Sequence, residues 1–305
     1  MFWFPLCAVL IWSGNAIVSK LAAGTIEPGV IAFYRWFLAW LLVTPFMARP
    51  LWRQRHQLRP HIGKLMLLAL LGMVLNQSLG YYAAQSISAV NIGIHNALIP
   101  LLTVILSLLL LREPPTLGIL TGSVLSIVGL IWLVSAGQPA RLLAQGMGHG
   151  DALMLLAVGC YALYGVLHKR WALPLTGWQQ LYLQMSAALI WLLPDFIRAG
   201  VIHSNQWQLN SQSWPLVIYA ALPASLLATW LWLEGVRQLG ANRTAIFMNL
   251  LPLFTAVLAV AGLGEQLHHY HIWGGGLTLL GVLLCQLWRQ PIRLGTAQRT
   301  LNAGC

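Results

Sequence analysis

The chain has 305 residues, 58% of them hydrophobic and only 8% charged, with a formal net charge of +11 and a mean hydropathy of +0.73. A soluble domain carries about 25% charged residues, so this chain cannot cover a globular surface, and soluble enzymes and binding modules are excluded. The positive charge does not call for a nucleic-acid partner, because cationic loops on the cytoplasmic side of a membrane protein produce the same total.

A helix needs about 20 apolar residues to cross the hydrocarbon core of a bilayer. Ten segments qualify, at 3–22, 29–48, 64–86, 89–111 and 116–135, then 151–170, 177–198, 214–237, 241–262 and 271–289. The expected fold class is an all-α integral membrane protein. The first segment starts at Met1 with no basic leader and no small-residue cleavage site, so it reads as a retained helix rather than a signal peptide. Many of the tryptophans stand near segment ends, as at Trp3, Trp52, Trp171, Trp178, Trp207, Trp214 and Trp288, which suits the membrane–water boundary. Two connections are longer than the rest, 49–63 and 199–213. Cys7, Cys160 and Cys285 lie inside apolar segments and Cys305 ends the chain, without metal-ligand or redox spacing. No disulfide, metal site or cofactor is expected.

The chain repeats itself. Residues 89–134 moved forward by 152 fall on 241–286 without a gap, pairing Pro100 with Pro252, Thr103 with Thr255, Glu113 with Glu265, Gly122 with Gly274 and Gly129 with Gly281. A shift of 149 pairs Lys20 with Lys169 and Pro45 with Pro194. The predicted domains are a first five-helix repeat over 1–136, a second over 150–289 and a cytoplasmic tail over 290–305. Five is odd, so the second repeat must enter the membrane inverted. Charge agrees: loop 49–63 holds Arg49, Arg53, Arg55 and Arg59, whereas residues 203–213 have no Lys or Arg. With the N-terminus inside, the cytoplasmic side carries thirteen basic residues. The outer side carries three, Lys20, Arg141 and Arg198. The positive-inside rule then places both termini in the cytoplasm.

Two five-helix repeats of this kind resemble the drug/metabolite transporter superfamily, and specifically its EamA family. The likeness rests on Trp12-Ser13-Gly14-Asn15 followed by Lys20, on a Pro in the fourth helix of each repeat, and on Glu113 or Glu265 closing that helix ahead of a Gly-rich fifth. The second repeat departs from the first, with Tyr161 for Trp12, Tyr164 for Asn15 and Gln184 for Arg35. The resemblance implies a multi-pass carrier of the bacterial-type inner membrane that moves small metabolites, often exporting amino acids. It also implies a central cavity lined by helices 1, 3, 4, 6, 8 and 9.

Polar groups in hydrocarbon are costly and usually face a cavity or another helix. The candidates for substrate contact are Trp12, Asn15, Asn76, Tyr82, His95, Asn96, Tyr164, Trp230 and Asn249. His95 could bind a substrate carboxylate, take up a proton, or bond to a neighbouring helix. The asparagines could bind substrate or bridge helices, and the aromatic residues could wall a cavity or simply pack. Coupling or gating candidates are Glu234, Lys20, Pro100 and Pro252. Arg237 stands three residues after Glu234, which favours a surface pair. Lys20 reads as a solvated helix-end cation. Arg35 reads as snorkelling to the outer interface rather than serving a cavity. Pro100 and Pro252 each remove a backbone bond and mark kinks or hinges. The Gly-rich stripes, Gly118, Gly122 and Gly129 in the fifth segment and Gly274, Gly275, Gly276 and Gly281 in the tenth, suit close helix packing, within the fold or at a homodimer seam.

These readings converge on a secondary carrier working by alternating access around a midplane site. The cavity candidates suit a neutral or zwitterionic metabolite, such as an amino acid, in contact with a lipid bilayer. The alternatives are a flippase for a lipid-linked sugar and an intramembrane enzyme. The enzyme would need a nucleophile and base, or a carboxylate pair, at depth. His95 has no Asp or Glu near it in the sequence.

Overall fold

The structure, a computed structural model, describes residues 2–53, 55–111, 117–140, 147–202, 209–239, 244 and 247–288. Among these residues the secondary structure is all helical, without a strand. Seven helices are long and apolar enough to cross a membrane: α1 Trp3–Ala22, α2 Pro28–Arg53, α3 Arg59–Ala84, α4 Ala89–Leu111, α5 Leu117–Val134, α6 His149–Trp171 and α8 Ser213–Leu239. An eighth, α9 Phe247–Leu263, is apolar but shorter. Helices α7 Gly177–Ile202 and α10 His269–Leu287 stand where the sequence places its seventh and tenth segments.

Several boundaries differ from expectation. Helix α2 continues to Arg53 through Pro45 and Pro50, and the basic connection after it is largely helical, with turns at Arg55–Leu58 and Arg59–His61. A chain leaving hydrocarbon gains by keeping its backbone groups bonded internally, so the helix outruns the apolar stretch that defines it in the sequence. Helix α9 begins at Phe247, and 241–243 lie outside the described residues.

Four helices are irregular, in matching places of the two repeats. Helix α3 contains a π segment at Leu70–Leu75 and α8 one at Ala220–Leu227. Such wide turns are rare and frequent at functional sites. Helix α4 is broken between Ala89–Asn96 and Ile99–Leu111, directly before Pro100. Helix α9 has a tight turn at Phe247–Leu250 before Leu251–Leu263, directly before Pro252. A proline leaves the carbonyl four residues earlier without its partner, which places both interruptions.

The repeats interlock by exchange. Helix α1 packs on α8 and α9, and its counterpart α6 packs on α3 and α4. Helix α2 meets α7, α4 meets α9, and α5 meets α10. The largest apolar cluster joins α2 and α7 with α3 and α8, around Val30, Ile31, Trp36, Met185 and Leu192. The α5–α10 contact is the closest, and the Gly stripes explain it: they pack against each other within the fold. A Cβ at Gly129 would lie 2.6 Å from the Gly274 carbonyl oxygen and the Thr278 nitrogen. A Cβ at Gly281 would overlap Ser126 and the Gly122 carbonyl. Small residues give two backbones this proximity, and dispersion contacts supply the attraction.

Candidate functional site

A polar cavity of about 70 Å³ lies between α1, α3, α4 and α6, lined by Trp12, Asn15, Asn76, Gln77, Asn96 and Met154 among others. Three of its amides, Asn15, Asn76 and Gln77, are tied into one network. Asn76 Nδ2 donates to the Ala157 carbonyl of α6 at 3.1 Å, and Gln77 Nε2 donates to Asn76 Oδ1 at 3.0 Å. The indole of Trp12 donates to the Ala224 carbonyl at 2.9 Å, inside the π segment of α8. The matching π segment of α3 receives the Trp36 indole on the Met73 carbonyl at 3.1 Å.

Arg35 is the centre of this network, and the expectation that it snorkels outward is corrected. Its side chain is buried, 3% exposed. Nε donates to Ser225 Oγ at 2.7 Å, and Nη1 reaches Gln77 Oε1 at 2.6 Å, Tyr81 Oη at 3.2 Å and Asn15 Oδ1 at 3.3 Å. The guanidinium thus bridges α1, α2, α3 and α8. All four partners are neutral. Among the described residues no carboxylate forms an ion pair with Arg35; the ion pairs lie elsewhere, and the guanidinium also stacks over the Trp36 ring, 5.1 Å from its centroid. A buried charge without a counter-ion is expensive, and here it stands beside polar groups that line a cavity. The sequence carried one signal of this orientation: Ala32 and Ala39 flank Arg35 at helical spacing and, like it, are buried, so the small-residue face of α2 is also the arginine's face.

His95 is fully buried. Its Nδ1 stands 2.8 Å from the Asn91 carbonyl, and its Nε2 faces Asp151 Oδ1 of α6 at 3.5 Å. The acidic neighbour that is missing in the sequence is supplied by the fold. Lys20 is also corrected. Rather than a solvated helix end, its Nζ donates to the carbonyls of Ala84 and Ile87 at 3.0 and 2.9 Å, where the C-terminal dipole of α3 favours a cation. Glu265 caps the next helix, accepting from Ala89 N at 2.8 Å and Val90 N at 3.1 Å.

The fold brings four of the nine candidate contact residues, Trp12, Asn15, Asn76 and Asn96, to the cavity wall. His95 is next to them. Tyr164 packs on Gly72, where a Cβ would lie 2.7 Å from its ring, and leans against Tyr161 with centroids 5.5 Å apart. Tyr82 lies apart: its hydroxyl is 3.2 Å from Asp195 Oδ2 and accepts from Arg198 at 2.8 Å. Trp230 also lies apart, 43% exposed and edge-on to Phe4. Asn249 sits in the tight turn that opens α9. Glu234 accepts from Arg237 and Gln238, both at 2.6 Å, the surface pair expected from spacing. The residues missed by sequence reasoning are Arg35 as a buried group bonded to two cavity-lining amides, Asn15 and Gln77, Ser225 as its further partner, and Asp151.

An all-helical, multi-pass bundle built of two interlocked halves around a buried polar cavity defines a membrane transport protein. The EamA-like transporter family model matches the chain twice, over residues 1–135 and 148–286, and the chain belongs to that family. It is 25% identical over 269 residues to the uncharacterized transporter YyaM of Bacillus subtilis, covering 87% of each chain. It is 28% identical over 280 residues to an uncharacterized transporter of Archaeoglobus fulgidus, covering 90% of this chain and 93% of that one. A protein crystal structure shares the fold with a TM-score of 0.59 at 17% identity, covering 97% of this chain and 98% of that one.

Proposed function

We propose that this chain is a secondary carrier of the inner membrane that exports small metabolites bearing a carboxylate, amino acids first among them, by alternating access. In this reading all ten helices span the membrane, the second repeat (150–289) is inverted relative to the first (1–136), and both termini are cytoplasmic. The observation that carries the substrate class is Arg35, a buried guanidinium with neutral partners at the edge of a polar cavity. A substrate carboxylate would supply the missing counter-charge through a charge-assisted contact. Asn15, Asn76, Gln77 and Asn96 would bind the polar remainder, and Trp12 would face an apolar or aromatic side chain. This favours a zwitterion or an anion over a neutral solute.

The cavity is far smaller than the about 300–1,000 Å³ of ordinary small-molecule sites, so substrate entry requires the helices to part. The matched breaks before Pro100 and Pro252 are where α4 and α9 can bend, which gives those prolines a mechanical role. The lipid-linked flippase has one observation in its favour, an apolar groove of about 580 Å³ lined by Leu10, Ile11, Gly14, Tyr219, Leu258 and Gly262. Its Tyr219 hydroxyl is already bonded to the Ile11 carbonyl at 3.0 Å, so the groove offers an acyl chain a surface but a headgroup no handle.

The test is counterflow in liposomes containing the purified protein, with a panel of labelled amino acids and, as competitors, their amides and methyl esters. Saturable exchange, competed at least about tenfold better by the free acid than by its amide, is the expected result, since a tenfold difference is the least that one charged contact is worth. Equal competition by acid and amide would sink the carboxylate reading.

A further inference from the structure

We propose that His95 and Asp151 together form a single-proton binding site that latches α4 of the first repeat to α6 of the second. On the transporter reading above, this site couples transport to a proton gradient.

The argument rests on how these two side chains meet. The Asn91 carbonyl can only accept, so the 2.8 Å contact requires a proton on His95 Nδ1. In the neutral imidazole the other nitrogen, Nε2, is then a bare acceptor. It faces Asp151 Oδ1, also an acceptor when ionised, at 3.5 Å. Both atoms are buried, and neither has another hydrogen-bond partner. Two buried acceptors facing each other lose their hydration and gain nothing. One proton placed between them, as imidazolium with carboxylate or as imidazole with carboxylic acid, satisfies both. The contact holds when the pair carries one proton and fails when it carries none.

The charged groups on the elements packed around the pair, Lys20 and Glu265, are engaged elsewhere. From α1, Lys20 is bonded to the Ala84 and Ile87 carbonyls. Beyond α9, Glu265 is bonded to the first N–H groups of α4. From α10, His271 accepts from the His268 backbone through Nδ1 at 3.1 Å, and its buried Nε2 has no partner among the described residues. On α6 itself His149 is exposed. Next to Asp151, Gly150 lies against Ser86 so closely that a Cβ would overlap its hydroxyl, and this fixes the end of α6 against the end of α3. The pair's position suits coupling. His95 precedes Asn96, a cavity-lining residue, and the helix breaks immediately after it. Release of the latch would therefore free the short Ala89–Asn96 segment, which carries a wall of the cavity.

Infrared difference titration of the purified protein, from about pH 5 to 9 where a histidine-linked proton is expected to exchange, tests the site without any substrate. The wild type should show one carboxyl-linked step. The step should vanish in Asp151→Asn, persist in Asp151→Glu, and move by at least one pH unit in His95→Gln, where the carboxyl titrates alone. In liposomes, a pH gradient should drive accumulation of labelled amino acids by the wild type, whereas Asp151→Asn should only equilibrate them. The absence of the step in the wild type, or its survival unchanged in both Asp151→Asn and His95→Gln, overturns the proposal. So does gradient-driven accumulation undiminished in Asp151→Asn. A wild type that titrates as expected but moves none of the panel leaves the proton site standing and overturns the amino-acid reading instead.

Discussion

Arg35→Gln separates a binding residue from a structural clamp, because the two roles predict opposite balances of stability and transport. The substitution removes two short bonds, to Gln77 at 2.6 Å and Ser225 at 2.7 Å, and two long ones at 3.2 and 3.3 Å. Interhelical hydrogen bonds in membrane proteins average about 0.6 kcal/mol and reach about 1.7, so the two short ones account for about 1–3 kcal/mol. Against this stands the cost of a guanidinium inside a membrane helix, at least about 2.5 kcal/mol on insertion scales. These contributions offset each other to within about 2 kcal/mol, and folding stability should change little. Substrate binding has no such offset. A hydrogen bond to a charged group is worth about 1.5–3 kcal/mol, so the apparent affinity for a carboxylate substrate should fall about 10- to 150-fold. Arg35→Lys keeps the charge without the planar fork and should fall between. Counterflow gives the affinity, and thermal unfolding followed by tryptophan fluorescence gives the stability. A fall in Tm of more than about 8 °C, equivalent to several kcal/mol at this chain length, with affinity per folded molecule unchanged, would refute the reasoning and make Arg35 a clamp.

Two further substitutions probe the frame around the site. Gly129→Ala puts a methyl group against the Gly274 carbonyl and the Thr278 nitrogen, both backbone atoms at 2.6 Å. The α5–α10 contact should lose about 1–3 kcal/mol to overpacking, visible as a lower Tm, whereas Gly276→Ala, with nothing within 4 Å of its Cβ, should leave Tm unchanged. Glu265→Gln weakens the cap on Ala89 and Val90 by about 1 kcal/mol, and hydrogen exchange should quicken at the first turn of α4 before any other helix.

The helices, the repeat and the Gly stripes were legible in the sequence because each is a periodic signal carried by many residues. Hydrophobic length marks the spans, and the offsets of 152 and 149 mark the duplication. The site was only half legible. Asn15, Asn76 and Asn96 could be found as polar residues on apolar faces. Arg35 was misread because snorkelling is the usual escape for a cation within two turns of a helix end, and only the acceptors on α1, α3 and α8 hold it inward. Lys20 was misread because the bare carbonyls that end α3 belong to another helix. Asp151 reads as the first turn of a helix, and nothing local reveals that His95 faces it. The π segment of α3 left no sequence mark, and that of α8 only Pro223. What escaped detection is a set of single contacts between helices, each fixed by packing rather than by pattern.

Four contacts of charged side chains between helices share a location, and it bears on mechanism. Lys20 on the end of α3, Glu265 on the start of α4, His95 with Asp151 at the start of α6, and Tyr82 with Asp195 and Arg198 at the end of α7 all lie at one end of the bundle. In the proposed orientation this is the outer end. Three of the four join helices of different repeats, α9 to α4, α4 to α6, and α3 to α7. Lys20 alone acts within the first repeat. On the alternating-access reading, opening the cavity outward would break the three inter-repeat ties, while opening it inward would leave them in place. Of the three, the Glu265 cap holds a carboxylate on backbone N–H groups, and the Tyr82 cluster is partly exposed. The His95–Asp151 contact alone is buried, inter-repeat and dependent on a single proton. If protons control when this end opens, that pair is where they act.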